Sequence, residues 1–313
     1  MRIEGGLTHQ PPTAPPPASL GDQPPTGWRL WLAAIRPRTL TIAIAPVLAG
    51  TALAWSGFGR LSPSVLAATL AGAVAIQAGT NLWNDLGDAL RGGDQPLRQG
   101  PPRVTALGWA APDRVRRAAM ACFALAGLIG LYLAHVGGWP ILALGVASLA
   151  AGWAYSGGPR PIAYTALGEV FVVAFFGLGA VAGTHWLQAG TLTPEVLVVG
   201  LALGLPAAAV LMANNYRDLE ADRLVGRRTL AIRLGIDGSR LAYALMMLTP
   251  FPLMMAPTAP DGGWVCLAAA PLAIRLIIDF ATRPRGPAFN AILAATARFQ
   301  VMLAVLAALG ALL

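Results

Sequence analysis

Asn81-Leu-Trp-Asn84-Asp85-Leu-Gly-Asp88 closes one long apolar run of this chain, and Asn214-Asn215-Tyr-Arg217-Asp218-Leu-Glu220-Ala-Asp222 closes another. Each stretch places an Asn four residues before an Asp-Leu pair. Together with Asp94 they hold six of the 14 acidic residues. On a helix, Asn81, Asp85 and Asp88 stand at i, i+4, i+7, and Asn214, Asp218 and Asp222 at i, i+4, i+8, so each set lines one face. Carboxylates at a membrane surface are costly and need partners. One Asp alone reads as a helix cap paired with a nearby Arg, but five in two matched clusters point to a site. Facing clusters of hard oxygens repel unless cations lie between them, and Mg²⁺ held by carboxylates together with substrate phosphates satisfies that chemistry. Asp85, Asp88, Asp218 and Asp222, with Asp94 beside them, are therefore the expected Mg²⁺ ligands and catalytic centre. Asn81, Asn84 and Asn214 support them.

Working outward, 56% of the 313 residues are hydrophobic and 12% are charged. Soluble domains average roughly 25% charged residues, so the composition excludes an ordinary soluble domain. Nine apolar spans of bilayer length follow one another, at about 40–57, 64–84, 115–134, 139–156, 167–187, 195–215, 240–257, 263–281 and 289–312. The expected fold is an all-α membrane bundle of nine helices. An acidic motif closes the second span of each half, which suggests two pseudo-repeated four-helix halves plus a ninth helix. Residues 1–27 are Pro-rich, read as a disordered cytoplasmic tail, and lack the apolar core of a signal peptide. Residues 28–313 form the membrane domain, which begins with a short amphipathic segment at 28–39.

The net charge is +8, and all 22 basic residues are Arg. They fall at span ends with no recognition motif, so nucleic acid is not the expected partner. With the N-terminus assigned to the cytoplasm, the opposite side keeps only Arg60 outside the spans, which orients the chain and puts both acidic motifs at the cytoplasmic surface. Cys122 and Cys266 sit in apolar runs and read as small core residues.

Arg98 and Arg103 follow the first motif, and Arg223, Arg227 and Arg228 follow the second. Guanidinium forks suit phosphate oxygens. A metal-bound diphosphate with an apolar bundle behind it suggests a lipid diphosphate, cleaved to an allylic cation that the bundle shields from water. Arg98, Arg160, Arg227 and Arg228 are the expected diphosphate contacts. Tyr155, which with Arg160 flanks Gly157-Gly158-Pro159, and Asn84 are further substrate contacts. Glu169, early in the fifth span, reads either as orienting a substrate hydroxyl or an Arg, or as an interfacial carboxylate at a helix N-terminus. Arg275 and Asp279, at i, i+4, are expected to pair. His135 and His185 lie away from both motifs and read as structural.

The chain resembles the UbiA-type intramembrane prenyltransferases, and within them the 1,4-dihydroxy-2-naphthoate polyprenyltransferases of menaquinone synthesis. The likeness is carried by Arg36-Pro-Arg-Thr-Leu40, by the first motif with Gly93-Asp94, by Tyr155-Ser-Gly-Gly-Pro-Arg-Pro161, by Leu167-Gly-Glu-Val170 and Phe175-Phe-Gly177, and by the run from Asn214 to Gly235. It implies a Mg²⁺-dependent enzyme of the bacterial inner (cytoplasmic) membrane. That enzyme would join a polyprenyl diphosphate to an aromatic acid, with loss of CO₂ and of diphosphate, giving demethylmenaquinone. Other acceptors of the superfamily, such as 4-hydroxybenzoate, homogentisate or a chlorin, remain open. So does a cation-coupled repeat transporter, although its carboxylates belong near mid-membrane. Where such enzymes often carry Lys, this chain has Arg38 and Arg227 or Arg228. Charge is kept, but a readily deprotonated base is not.

Overall fold

The computed structural model describes residues 24–92, 99–256, 259 and 261–313. Among these the chain is helical, with no strand. Eight helices are long and apolar enough to cross a membrane. Asp94 and Arg98, and most of the 1–27 tail, lie outside the described residues.

The short helix α1 (Trp28–Ile35) runs into α2 (Pro37–Phe58) through Arg36, the one non-glycine residue described with positive φ (54°). Pro37 disfavours the right-handed helical region for the residue before it. A left-handed conformation costs a non-glycine residue about 1–2 kcal/mol, and here it bends the chain where α1 meets the site. Next come α3 (Pro63–Leu90), α4 (Pro112–Gly137) and α5 (Trp139–Ser156). Glycines let α3 and α5 touch: a Cβ on Gly87 would lie 2.9 Å from the Ser156 carbonyl oxygen, and one on Gly152 would lie 2.8 Å from Thr80 Oγ1. Helix α3 runs beyond the expected 64–84, so Asp85 and Asp88 sit in its last turns rather than after it.

Helix α6 (Gly168–Ala189) contains a π-helical stretch at Val173–Gly179. It packs backbone to backbone on α7 (Pro194–Arg217): a Cβ on Gly177 would fall 2.5 Å from the Gly200 carbonyl oxygen and 2.6 Å from Gly204 Cα. The second motif does not continue as one helix. Helix α7 ends at Arg217, Asp218 (φ −96°, ψ 15°) is the junction, and Asp222 lies on the separate short helix α8 (Leu219–Leu224). The i, i+4, i+8 face is therefore bent at Asp218, although the Asp222 N–H still donates to the Asp218 carbonyl (2.8 Å).

The expected span at 240–257 is divided. Helix α9 (Leu230–Leu248) is kinked at Gly235 (φ 70°), and α10 (Pro250–Met254) follows it. Neither is among the eight membrane-length helices. Pro250 marks the division, since its ring removes a backbone donor and clashes with the preceding turn. Helices α11 (Asp261–Thr282) and α12 (Phe289–Ala311) complete the described bundle. Tyr216, Tyr243, Phe280 and Phe289 stack between α7, α9, α11 and α12, with centroids 4.0–5.5 Å apart, and anchor the end of α7 that carries the second motif. Such contacts contribute about 0.5–1.5 kcal/mol per pair beyond area burial.

Candidate active site

The ends of α3 and α7 meet at one end of the bundle. Their four carboxylates are almost wholly buried: Asp85 is 0% exposed, Asp88 1%, and Asp218 and Asp222 4% each. The structure sorts them into two pairs. Asp88 and Asp222 face one another across a single guanidinium. Arg227 Nη2 lies 2.6 Å from Asp88 Oδ1, and its Nη1 lies 2.9 Å from Asp222 Oδ1. Burial alone would favour a neutral Arg227, but Asp88 and Asp222 more than offset it and hold the charge above the ordinary Arg range. The Tyr164 ring lies 4.6 Å from the same guanidinium.

Asp85 and Asp218 hold the loop that follows α3. The Val104 and Thr105 N–H groups donate to Asp85 Oδ2 and Oδ1 (3.0 and 2.9 Å), and the Gln99 N–H donates to Asp218 Oδ1 (3.0 Å). Each also meets a cation, with Arg36 3.9 Å from Asp85 and Arg217 2.5 Å from Asp218. Arg103 lies 2.6 Å from Asp88 and also donates to the Asn84 side-chain oxygen. Four carboxylates are thus met by Arg36, Arg103, Arg217 and Arg227. Buried charges demand such pairing.

The asparagines tie the frame together. Asn81 donates to the Ile35 carbonyl (2.7 Å) and to Thr39 Oγ1 (2.9 Å), locking α1 and α2 to α3. Asn84 donates to Ser156 Oγ (2.8 Å), and Asn214 accepts from Arg217 (2.8 Å). Arg38, Arg160 and Arg228 have exposed side chains outside this cluster, although the Arg228 N–H bonds the Tyr164 carbonyl. The sequence reading did not single out Arg217, Gln99, Tyr164 or Asn290, which accepts from Arg217 (2.6 Å). Arg217 lies inside the second motif, in the place of Asn84 in the first, and that mismatch was its signal.

Beside the carboxylates, and lined by three of the guanidinium groups that pair with them, lies a cavity of about 790 Å³. Arg36, Arg103, Arg227, Asn81, Asn84, Asn214, Asn215 and Tyr155 line its polar part. Phe171, Phe175, Phe176, Leu211 and Leu293 line its apolar part. Leu128, Leu131, Leu142 and Val146 on α4 and α5 both line the cavity and are exposed on the surface, so this wall is thin.

Among the described residues no three of His, Cys, Asp and Glu converge as a metal cage. The donor set nevertheless fits a divalent cation. One buried carboxylate from each motif, Asp88 and Asp222, meets the positive Arg227 guanidinium, and paired hard oxygens of this kind suit a divalent cation.

Two further expectations are settled elsewhere. Asp279 pairs with Arg283 (3.1 Å) and not with Arg275. An acid placed four residues before a base is the better helical order. His185 is buried and bonds the Thr191 carbonyl (2.9 Å), the structural role expected of it.

A helical membrane bundle with buried carboxylates beside an apolar cavity is built to handle a charged head group and a hydrocarbon tail together. The chain belongs to the UbiA prenyltransferase family, which it matches over residues 43–292. It is 41% identical over 252 residues to the 1,4-dihydroxy-2-naphthoate octaprenyltransferase of Mycobacterium tuberculosis, covering 78% of this chain and 84% of that one. It is 38% identical over 257 residues to the enzyme of the same name from Escherichia coli, covering 78% and 82%. A UbiA homologue from Archaeoglobus fulgidus, solved bound to GPP and Mg²⁺, shares the fold with a TM-score of 0.62 at 16% identity, covering 90% of this chain and 99% of that one.

Proposed function

We propose that the protein transfers a polyprenyl chain from polyprenyl diphosphate to 1,4-dihydroxy-2-naphthoate, with loss of CO₂ and release of diphosphate, giving demethylmenaquinone. The observation that carries this reading is the Asp88–Arg227–Asp222 bridge set beside the apolar cavity. It puts acids that suit Mg²⁺, guanidinium groups that suit phosphate and space for a hydrocarbon chain in one place. The names of the relatives at 38–41% identity support the naphthoate acceptor.

In this reading Asp85, Asp88, Asp218 and Asp222 hold Mg²⁺, with Asp94 beside them, and Asn81, Asn84 and Asn214 keep their helices in place. Bound there, Mg²⁺ neutralises the leaving diphosphate and so eases cleavage of the allylic C–O bond. Arg227 and Arg103 would bind the diphosphate, with Arg38, Arg98, Arg160 and Arg228 as its further contacts. The apolar walls exclude water from the developing allylic cation, and the rings of Phe171, Phe175 and Phe176 present faces that stabilise positive charge. Tyr155 and Glu169 lie on the acceptor side.

The same reading counts nine membrane crossings in two four-helix halves plus a ninth, with α9 and α10 together forming the seventh. The site and the N-terminus face the cytoplasm of a bacterial inner membrane, as the Arg distribution supports. The test is mass spectrometry of products from purified protein given Mg²⁺, a polyprenyl diphosphate and a panel of naphthoate, benzoate and homogentisate acceptors. Prenylated, decarboxylated naphthoquinol is the expected product. Turnover confined to another acceptor would replace the naphthoate assignment, and no prenyl transfer to any acceptor would overturn the reading.

A further inference from the structure

Among the positions at which the two motifs differ, one places a polar side chain of the second motif in the cavity where the first motif has an apolar one. Aligned on Asp85 and Asp218, Leu82 of the first motif stands where the second has Asn215. Leu82 packs in the core between α1 and α4, whereas Asn215 lines the cavity. Asn215 thus offers the cavity a polar group that has no counterpart in the first motif, which makes it a candidate contact for the substrate other than the diphosphate. This inference rests on the proposed prenyl transfer to a hydroxylated aromatic acid.

Asn215 is 7% exposed, and its Nδ2 donates to Glu169 Oε1 at 3.1 Å. Glu169 is 3% exposed, and its Oε2 has no hydrogen-bond partner among the described residues. A buried carboxyl group with one oxygen unmatched is expensive to keep, which calls for a role beyond packing. The Asn215 Nδ2–H donates to Glu169 Oε1, and this bond sets which way the Asn215 amide turns. The NH₂ group faces Glu169, and the carbonyl oxygen makes no hydrogen bond among the described residues. Tyr155 lines the same cavity.

We propose that the Asn215 carbonyl oxygen accepts a hydrogen bond from a ring hydroxyl of the aromatic acceptor, and that Glu169 is the positioning residue that aims it there. As the ring carbon bonds to the prenyl carbon, positive charge builds in the ring and its hydroxyl becomes a stronger donor. The contact therefore strengthens toward the transition state. No atom passes to Asn215.

The test measures both KM values on detergent-purified protein. Asn215→Leu and Glu169→Ala should raise KM for 1,4-dihydroxy-2-naphthoate about 3- to 10-fold, the range of one neutral hydrogen bond, and should lower kcat as well, because the contact strengthens toward the transition state. KM for the prenyl diphosphate should stay within about twofold, well below what one lost hydrogen bond produces. Glu169→Gln, which still offers an oxygen to Asn215, should lie near wild type. An unchanged acceptor KM in Asn215→Leu, or an equal rise in both KM values, overturns the proposal. Glu169→Gln as impaired as Glu169→Ala overturns the positioning role. If a variant does not fold, wild type decides: naphthoates lacking either the 1- or the 4-hydroxyl are measured as inhibitors, and equal binding of both with the parent acid overturns the contact. Should wild type use a different hydroxylated acceptor, the naphthoate reading fails while the same variants still test Asn215 with that acceptor.

Discussion

Replacing Arg227 with Gln removes a guanidinium that joins Asp88 to Asp222, at 2.6 and 2.9 Å. The Arg227 side chain is only 9% exposed, so solvent screens these pairs weakly. Breaking a buried ion pair by deleting one partner costs about 3–5 kcal/mol. Asp88 keeps Arg103 at 2.6 Å, which places this variant at the lower end, about 3 kcal/mol. At about 2–4 °C per kcal/mol for larger domains, Tm in EDTA should fall about 6–12 °C. Mg²⁺ should reverse much of that loss, because cations bind the carboxylates that the guanidinium no longer contests. At a hundredfold excess over Kd the gain is about 2.7 kcal/mol. The assay is thermal unfolding in detergent across a Mg²⁺ titration, with Ca²⁺ and EDTA as controls. The variant should show the larger Mg²⁺-dependent rise in Tm and the lower half-saturating concentration. Its KM for prenyl diphosphate should rise at least about tenfold, since a charge-assisted hydrogen bond contributes about 1.5–3 kcal/mol. An equal Mg²⁺ response in wild type and variant would refute the reasoning that Arg227 competes with a cation for Asp88 and Asp222.

Gly177→Ala should lower Tm and folded yield, by about 1–3 kcal/mol or more, because its Cβ meets the Gly200 backbone at 2.5 Å; wild-type stability in that variant would show that the α6–α7 contact can relax. In a chain with Cys122 and Cys266 replaced by Ala, a Cys at the exposed Arg223 should be labelled by an impermeant thiol reagent only from the cytoplasmic side, and one at the exposed Leu192 only from the outside. The reverse pattern would invert the topology.

Much of the architecture was legible because bilayer length and hydropathy constrain spans strongly: eight of the nine expected spans reappear as membrane-length helices. The remaining one, 240–257, falls where Gly235 and Pro250 break the helix, and backbone breaks of this kind escape a hydropathy reading. The two acidic motifs were legible as a pair, since matched carboxylates at the ends of apolar runs have few structural explanations. Their partners were not. Which guanidinium meets Asp85 or Asp88 depends on side chains brought together from other helices and loops, and spacing along one helix carries no such information. The same holds for Asn81. The motif suggested support of a cation, whereas the fold has it locking α1 and α2 to α3.

The thin wall of the cavity, formed by Leu128, Leu131, Leu142 and Val146, separates the proposed reaction chamber from the surface that hydrocarbon chains would cover. A substrate tail longer than the chamber can pass between these side chains and lie among lipid tails, which solvate it as well as the protein does. Under the proposed function, such a wall would leave tail length to the supply of substrate in the membrane, and a water-insoluble product could leave sideways into the bilayer without crossing an aqueous phase.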